Sequence, residues 1–144
     1  MTEIDLLRRS AFQWCDLFGD DAALLANGLN GWAGIFFLNE AWHAVGGAKE
    51  ERPRLLSIGD RLVALAAAEV WLNSYETDES AHKSRRWLRE PPTERQLIHL
   101  PPEARADLGM TRYQASALLT FKFNKQVIRS LVRNAQPATL GRAA

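Results

Sequence analysis

The sequence has one cysteine, Cys15, among its 144 residues. An internal disulfide is therefore excluded, and so little cysteine is typical of a reducing compartment, which predicts a cytoplasmic location. No uncharged apolar run reaches the about 18 residues that a membrane helix needs, because Glu40 and Glu69 interrupt the best candidates. The first ten residues, MTEIDLLRRS, place acids first and contain no small-residue cleavage site. We therefore expect no secretory signal and no membrane partner.

Signatures of catalysis are also missing from the sequence. It contains no glycine-rich phosphate loop, no paired-cysteine zinc spacing and no Gly-x-Ser-x-Gly elbow. With three histidines and one cysteine, few nucleophile–base pairs can be drawn. Cys15 itself lies between Trp14 and Phe18 on an apolar stripe, which indicates an inert core thiol. These absences favour a protein without catalytic activity and without a cofactor.

The apolar content is high enough for a well-packed core, with 47% hydrophobic residues and five tryptophans. Apolar residues recur at helical spacing from Ile4 to Phe18, and start and stop signals predict a short helix over about residues 21–27. Asn30 can cap an apolar helix over residues 31–45, and the segment 48–54 resembles an exposed loop. No segment shows the alternation of a half-buried strand. The sequence therefore predicts an all-α fold, a compact bundle of five to seven helices in a single domain over residues 1–136, followed by a flexible tail over residues 137–144.

A central helix over about residues 58–75 organises the predicted bundle. Ser57 and Asp60 form a start that resembles a capping box, and Glu69 is the only charge between Leu62 and Leu72. A helix that is apolar on every face is buried in the core. We therefore expect five of its side chains to be buried against Ile35, Phe36 and Trp42. These five are Leu62, Val63, Ala66, Val70 and Trp71.

The C-terminal part of the sequence contains the clearest helix signals. Two proline pairs, Pro91–Pro92 and Pro101–Pro102, delimit a short helical segment between them, and Pro102 suits the first turn of another. Thr111 and Gln114 form a capping box at the start of a long basic helix over about residues 112–134.

Two Glu-x-x-His motifs suggest a metal site. Glu40 with His43, and Glu79 with His82, would each place a carboxylate and an imidazole on one helical face. Together with Glu69 and either Asp16 or Glu3, they would supply the ligands of a ferritin-like carboxylate/histidine bundle. The alternative is structural: Glu40 and Glu69 would be paired or reach solvent, His43 would be a hydrogen-bonded core residue, and Glu79 would stabilise a helix N-terminus.

The charge distribution points to a different kind of site. Residues 1–80 carry six Lys/Arg against thirteen Asp/Glu, whereas residues 81–144 carry twelve against four. Within the basic half, four side chains follow one stripe of the last helix and three more belong to a preceding basic segment. They are Lys122, Lys125, Arg129 and Arg133, and then Arg85, Arg86 and Arg89. This pattern predicts a phosphate-contacting surface; the alternative is a solvated face balanced by the acidic half. No aromatic residue interrupts the stripe, so we expect contacts to the nucleic-acid backbone.

One short segment carries a family resemblance. The residues PPEARADLGMTRYQ resemble the Asp-x-Gly-x-Thr-Arg segment of the small arginine-rich YjiS-like proteins, through Asp107, Gly109, Thr111 and Arg112. Some of those proteins are linked to RNA binding, so the resemblance implies the same class of partner. The same residue types are also what a junction of two capped helices requires.

The sequence therefore predicts a non-catalytic accessory or regulatory protein, such as a small helical subunit or an inhibitor. Its basic C-terminal half would dock on a nucleic acid, a nucleoprotein complex or an acidic surface of a larger protein. The metal-binding bundle is the alternative.

Overall fold

The computed structural model describes residues 10, 12, 14–28, 30–76, 90–105 and 109–135. Within them, five antiparallel strands form one sheet in chain order. The strands are β1 (Cys15–Asp16), β2 (Ala23–Asn27), β3 (Gly31–Leu38), β4 (Ala41–Ala48) and β5 (Glu51–Gly59). The helices are α1 (Arg61–Tyr75), α2 (Glu94–His99), α3 (Pro102–Arg105) and α4 (Arg112–Asn134). No helix among these residues is long and apolar enough to cross a membrane.

The all-α bundle predicted from the sequence is wrong, and the segment 31–48 shows why. It forms the β3–β4 hairpin, in which Ile35 pairs with Ala44. The two turn residues, Asn39 and Glu40, have φ angles of 52° and 60°, the left-handed region that tight hairpins require. Both faces of this hairpin are covered by helices. A strand buried on both sides reads as a continuous apolar run, which periodicity does not distinguish from a buried helix.

Two neighbouring predictions are also wrong. The segment 21–27 forms β2 instead of a helix, and all five of its strand residues are buried. The segment 48–54 forms the end of β4 and the first part of β5 instead of a loop, and β5 completes the sheet against β4. In a strand, the backbone N–H and C=O groups form hydrogen bonds with a neighbouring strand. The local sequence of a segment does not show whether such a neighbour exists.

Helix α1 exists where the central helix was predicted, but its burial differs. Its first residue is Arg61, and Asp60 caps it by accepting a hydrogen bond of 2.8 Å from the Val63 amide. Only one side packs on the sheet, while Val63, Ala66 and Val70 are exposed. The prediction of a helix buried on all sides is therefore wrong, because the sheet covers one face and no described element covers the other.

The core has two layers, one on each side of the sheet. Alternate strand residues such as Ala33 and Ile35 pack against α1, through its Ala64, Leu65, Ala68 and Leu72. Their neighbours Phe36 and Val45 point to the opposite side and pack against Ile128 and Val132 of α4. Phe36 therefore does not contact α1 as predicted. The sheet is a central layer between two helices.

The C-terminal helix predictions are confirmed. Helix α4 covers Arg112–Asn134, and Thr111 and Gln114 form the predicted capping box. Helix α2 lies between the two proline pairs with a capping box of Thr93 and Gln96, and α3 begins at Pro102. The basic segment with Arg85, Arg86 and Arg89 and the tail 137–144 lie outside the described residues, so those predictions and the single-domain boundary stay predictions.

Candidate nucleic-acid interface

The first Glu-x-x-His motif falls on the β3–β4 hairpin. Glu40 occupies the exposed turn, whereas His43 is 1% exposed within β4. The ring nitrogen Nδ1 of His43 lies 3.4 Å from the carbonyl oxygen of Phe36. Successive strand residues alternate between faces, so the shared helical face on which the motif depends does not exist. The structural alternative for His43, a core histidine beside a hydrogen-bond partner, describes this geometry.

The structure gives a structural role to Glu69, another of the predicted metal ligands. Glu69 is buried, and its Oε1 accepts hydrogen bonds from the Trp14 indole at 3.2 Å and from the Ser10 hydroxyl. Glu79 and His82 lie outside the described residues. In the part of the chain that the structure describes, no group of three or more His, Cys, Asp or Glu could hold a metal ion. Because the fold is built on a sheet, the predicted ferritin-like bundle is wrong.

Cys15 lies in β1, partly buried beside the core layer that packs on α4. Burial, and secondarily the neighbouring Asp16 carboxylate, raise the pKa of the Cys15 thiol above its ordinary value. A raised pKa keeps the thiol protonated at neutral pH, which makes it a poor nucleophile. The helix predicted around Cys15 is wrong, because Cys15 and Asp16 form a strand, and the inertness of the thiol stays a prediction.

The four basic residues of α4 form what we call the basic ridge: Lys122, Lys125, Arg129 and Arg133. Lys122, Arg129 and Arg133 are exposed and Lys125 is partly exposed. The ion pairs among described residues join Arg54 to Glu51, Arg61 to Asp21 and Arg112 to Glu90. Within that same part of the chain, Lys122, Lys125 and Arg129 therefore have no acidic partner. Their charge is available to an anion from outside.

A buried polar cluster attaches the first half of α4 to the sheet. Asn27 of β2 donates its backbone amide to the Tyr113 hydroxyl at 2.9 Å and its side-chain amide to the Ser116 hydroxyl at 3.0 Å. The Thr120 hydroxyl donates to the Asn27 side-chain oxygen at 3.2 Å. Tyr113, Ser116 and Thr120 lie on one side of the helix, because they are spaced by three and four residues. This side of α4 is therefore held against the sheet, and the basic ridge, on another side of the helix, faces solvent.

An apolar groove borders the lysine end of the ridge. We call it the aromatic groove; it has a volume of about 540 Å³. Its lining comes from the loop after β1, from the segment around α2 and from α4. The residues are Phe18, Ile98, His99, Leu100, Pro101, Leu118, Phe121, Lys122 and Lys125.

Sequence reasoning missed the aromatic residues beside the ridge. Phe18 is 58% exposed, and Phe123, whose ring meets His99 edge-on at 5.5 Å, is 63% exposed. A signal was present in the i, i+4 pairs Leu118–Lys122 and Phe121–Lys125, which place an apolar side chain next to each lysine. Phe18 belongs to a distant part of the chain, so no local pattern places it there.

A second, smaller groove borders the arginine end of the ridge, with a volume of about 220 Å³. The tip of the β3–β4 hairpin contributes Phe37 and Leu38, which are 48% and 43% exposed. Arg129 and Arg133 line its other side, and Phe121 borders both grooves. One face of the molecule therefore combines a row of cations with exposed apolar and aromatic side chains.

Most of the chain matches a known protein family. Residues 2–137 match the family described as the C-terminal domain of the mitochondrial helicase Irc3. The chain belongs to this family. This family is not the YjiS-like family that the segment PPEARADLGMTRYQ resembles. Neither the curated proteins nor the solved structures gave a match.

Proposed function

We propose that this chain is a non-catalytic nucleic-acid-binding domain that contacts phosphates through the basic ridge. The observation that carries the proposal is the row formed by Lys122, Lys125 and Arg129, which face solvent without an acidic partner in the described part of the chain. The family description names a helicase, a class of enzyme that acts on nucleic acid, and this supports the same class of partner.

The spacing of the ridge suits a phosphate backbone. Its residues follow one another by three and four positions along α4, and an α-helix rises about 5.4 Å per turn. Each turn therefore presents one cation, and a nucleic-acid strand that runs along α4 meets a phosphate at successive cations. Lysine and arginine contacts to phosphates position a protein on nucleic acid without reading its sequence.

A binding role also agrees with the residues that the sequence lacks. The chain has no glycine-rich phosphate loop of the type that cradles a nucleotide for hydrolysis. We infer that the domain assists a nucleic-acid enzyme or complex by holding its substrate. The predicted cytoplasmic location stays a prediction; the family description, which names a mitochondrial protein, supports a mitochondrial alternative, and fractionation of the tagged chain distinguishes the two.

The test is charge reversal on the ridge. We expect the double change Lys125→Glu and Arg129→Glu to weaken binding to duplex DNA at least tenfold, measured by fluorescence anisotropy at several salt concentrations. For three phosphate contacts, by Lys122, Lys125 and Arg129, log affinity should fall with log salt at a slope of about −2 to −3, and the variant should show a shallower slope. The melting temperature should stay nearly unchanged, because both side chains reach solvent.

The matched control is Lys49→Glu with Arg52→Glu. Both residues are exposed on the turn between β4 and β5 and at the start of β5, and the change in net charge is the same. The control should keep most of the affinity. Equal losses in the two variants would show a response to net charge alone, and unchanged binding in the ridge variant would place the working surface elsewhere.

A further inference from the structure

We propose that the aromatic groove receives an unpaired base of a single-stranded nucleic acid while the lysines of the basic ridge hold the adjacent phosphates. The inference rests on the proposed function, and it adds a preference for single strands. Three features of the groove support it: an open aromatic surface, a rigid apolar base and cations at the rim.

The aromatic surface is provided by Phe18. Its ring meets that of Phe121 edge-on, with centroids 5.3 Å apart and planes at 80°. Phe121 is itself partly buried against the core layer under α4 and lies 5.9 Å from the ring of Phe36. The exposed ring is therefore supported by the core instead of extending freely. A supported ring loses little conformational entropy when a base stacks on it.

The size and lining of the groove suit a flat aromatic ligand. Its volume of about 540 Å³ lies inside the roughly 300–1,000 Å³ that is typical of sites for small ligands. Leu118 and Pro101 add apolar surface to the lining of the groove. Exposed apolar surface of this kind commonly marks a binding site.

The rim provides charge complementarity to phosphate. The ammonium group of Lys122 donates a hydrogen bond to the carbonyl oxygen of His99 and lies 5.9 Å from the ring centroid of Phe123. These contacts hold the cation at the edge of the groove without neutralising it. Lys125 lines the same groove, and within the described residues neither lysine is paired with an acid.

A single strand fits this combination better than a duplex. Bases in a duplex are stacked on one another, so a duplex would reach the ridge and leave the groove empty. Unpaired bases expose their faces, and stacking on protein aromatics beside a positive groove is how single strands are bound without sequence preference. The groove should therefore raise affinity for single strands selectively.

The test compares Phe18→Ala with the unchanged 144-residue chain. The probes are a labelled oligothymidylate and a duplex of the same length at the same salt concentration. We expect the variant to lose about 5- to 150-fold in affinity for oligothymidylate, the effect of one base–aromatic stack. Duplex affinity and its salt slope should not change. Phe18→Leu, which keeps an apolar side chain but removes the ring, should show most of the same loss.

Val70→Ala is the control, since Val70 is 71% exposed on α1, on the other side of the sheet. Ultraviolet crosslinking of an iodouracil-substituted single strand to the unchanged chain gives a second measurement that does not depend on variant folding. Crosslinks at Phe18 or Phe121 support the inference, and crosslinks confined to other segments overturn it.

If the chain binds neither probe, the proposed function fails. If both probes bind and Phe18→Ala affects neither, or both equally, only the groove proposal fails.

Discussion

At the scale of single residues, two adjacent glycines allow tryptophans to pack on both sides of β4. A Cβ atom on Gly46 would lie 2.6 Å from the ring of Trp71 in α1, and one on Gly47 would collide with the ring of Trp32 in β3. The Trp71 indole also donates a hydrogen bond of 3.1 Å to the Gly47 carbonyl. In both contacts a tryptophan ring packs directly on the glycine backbone. A larger side chain at either glycine therefore cannot be accommodated by a small rotation of the ring.

Gly46→Ala should therefore lower the free energy of unfolding by about 1–3 kcal/mol, the usual cost of overpacking. Gly59→Ala is the control, because a Cβ atom there would lie 3.8 Å from Val63, an ordinary contact. Urea unfolding of the two variants measures the difference. Equal stabilities would show that Trp71 moves aside without loss.

Arg61 and Asp21 form a second residue-scale feature. The guanidinium donates two hydrogen bonds of 2.8 Å to the Asp21 carboxylate and lies 4.8 Å from the centroid of the Trp42 ring. The hydrogen bonds from Arg61 lower the pKa of Asp21 below its ordinary value of 3.8. Only a small stabilisation is expected, since Asp21 is largely exposed.

The pH dependence of this pair has a definite sign. A carboxyl group with a lowered pKa in the folded state contributes stability above its unfolded pKa and loses it as the pH falls through the folded pKa. Asp21→Asn should therefore destabilise by at most about 1 kcal/mol at neutral pH, and the difference from the unchanged chain should shrink as the pH falls below 3.8 and vanish only below the lowered pKa of the folded state. Thermal melts of the unchanged chain and of Asp21→Asn from neutral pH to acid measure this difference, with Asp20→Asn as the control. A difference that persists in strong acid would contradict it.

At the scale of elements, the attachment of α4 to β2 depends on the polar cluster around Asn27. The Tyr113 hydroxyl accepts the Asn27 backbone amide, and Tyr113 is only 1% exposed. A buried amide without an acceptor costs more than a hydrogen bond contributes to stability. The cluster therefore holds α4 in one orientation, and with it the basic ridge.

Tyr113→Phe should lower the free energy of unfolding by about 1–3 kcal/mol, because the Asn27 amide loses this acceptor. Tyr75→Phe is the matched control, since the Tyr75 hydroxyl donates to Glu51 in an exposed contact that water can replace. Denaturant titrations compare the two. If both variants lose the same amount, the buried cluster contributes nothing beyond an exposed contact.

At the scale of the whole molecule, the sheet separates two helices with different roles. Helix α1 covers one face with small and apolar side chains. Helix α4 covers the other and adds the basic ridge, with an apolar groove at each end. The β3–β4 hairpin brings Phe37 and Leu38 to the arginine end, while Phe18 and the segment around α2 form the lysine end.

The sequence by itself determined the elements whose signals are local. Thr111 and Gln114 cap α4, the proline pairs delimit α2, and the spacing of Lys122, Lys125 and Arg129 places them on one stripe. A cap, a proline and a helical stripe act within a few residues, so neighbours in sequence suffice to identify them.

Only the tertiary structure decided the strands and the aromatic groove. The apolar run 31–48 becomes a hairpin because Ile35 pairs with Ala44 and helices cover both faces, and neither partner helix is visible in the run itself. Phe18 comes to stand beside Lys122 and Lys125 although about a hundred residues separate them in sequence. Pairing and packing between distant segments decide such features, and local propensity carries no information about them.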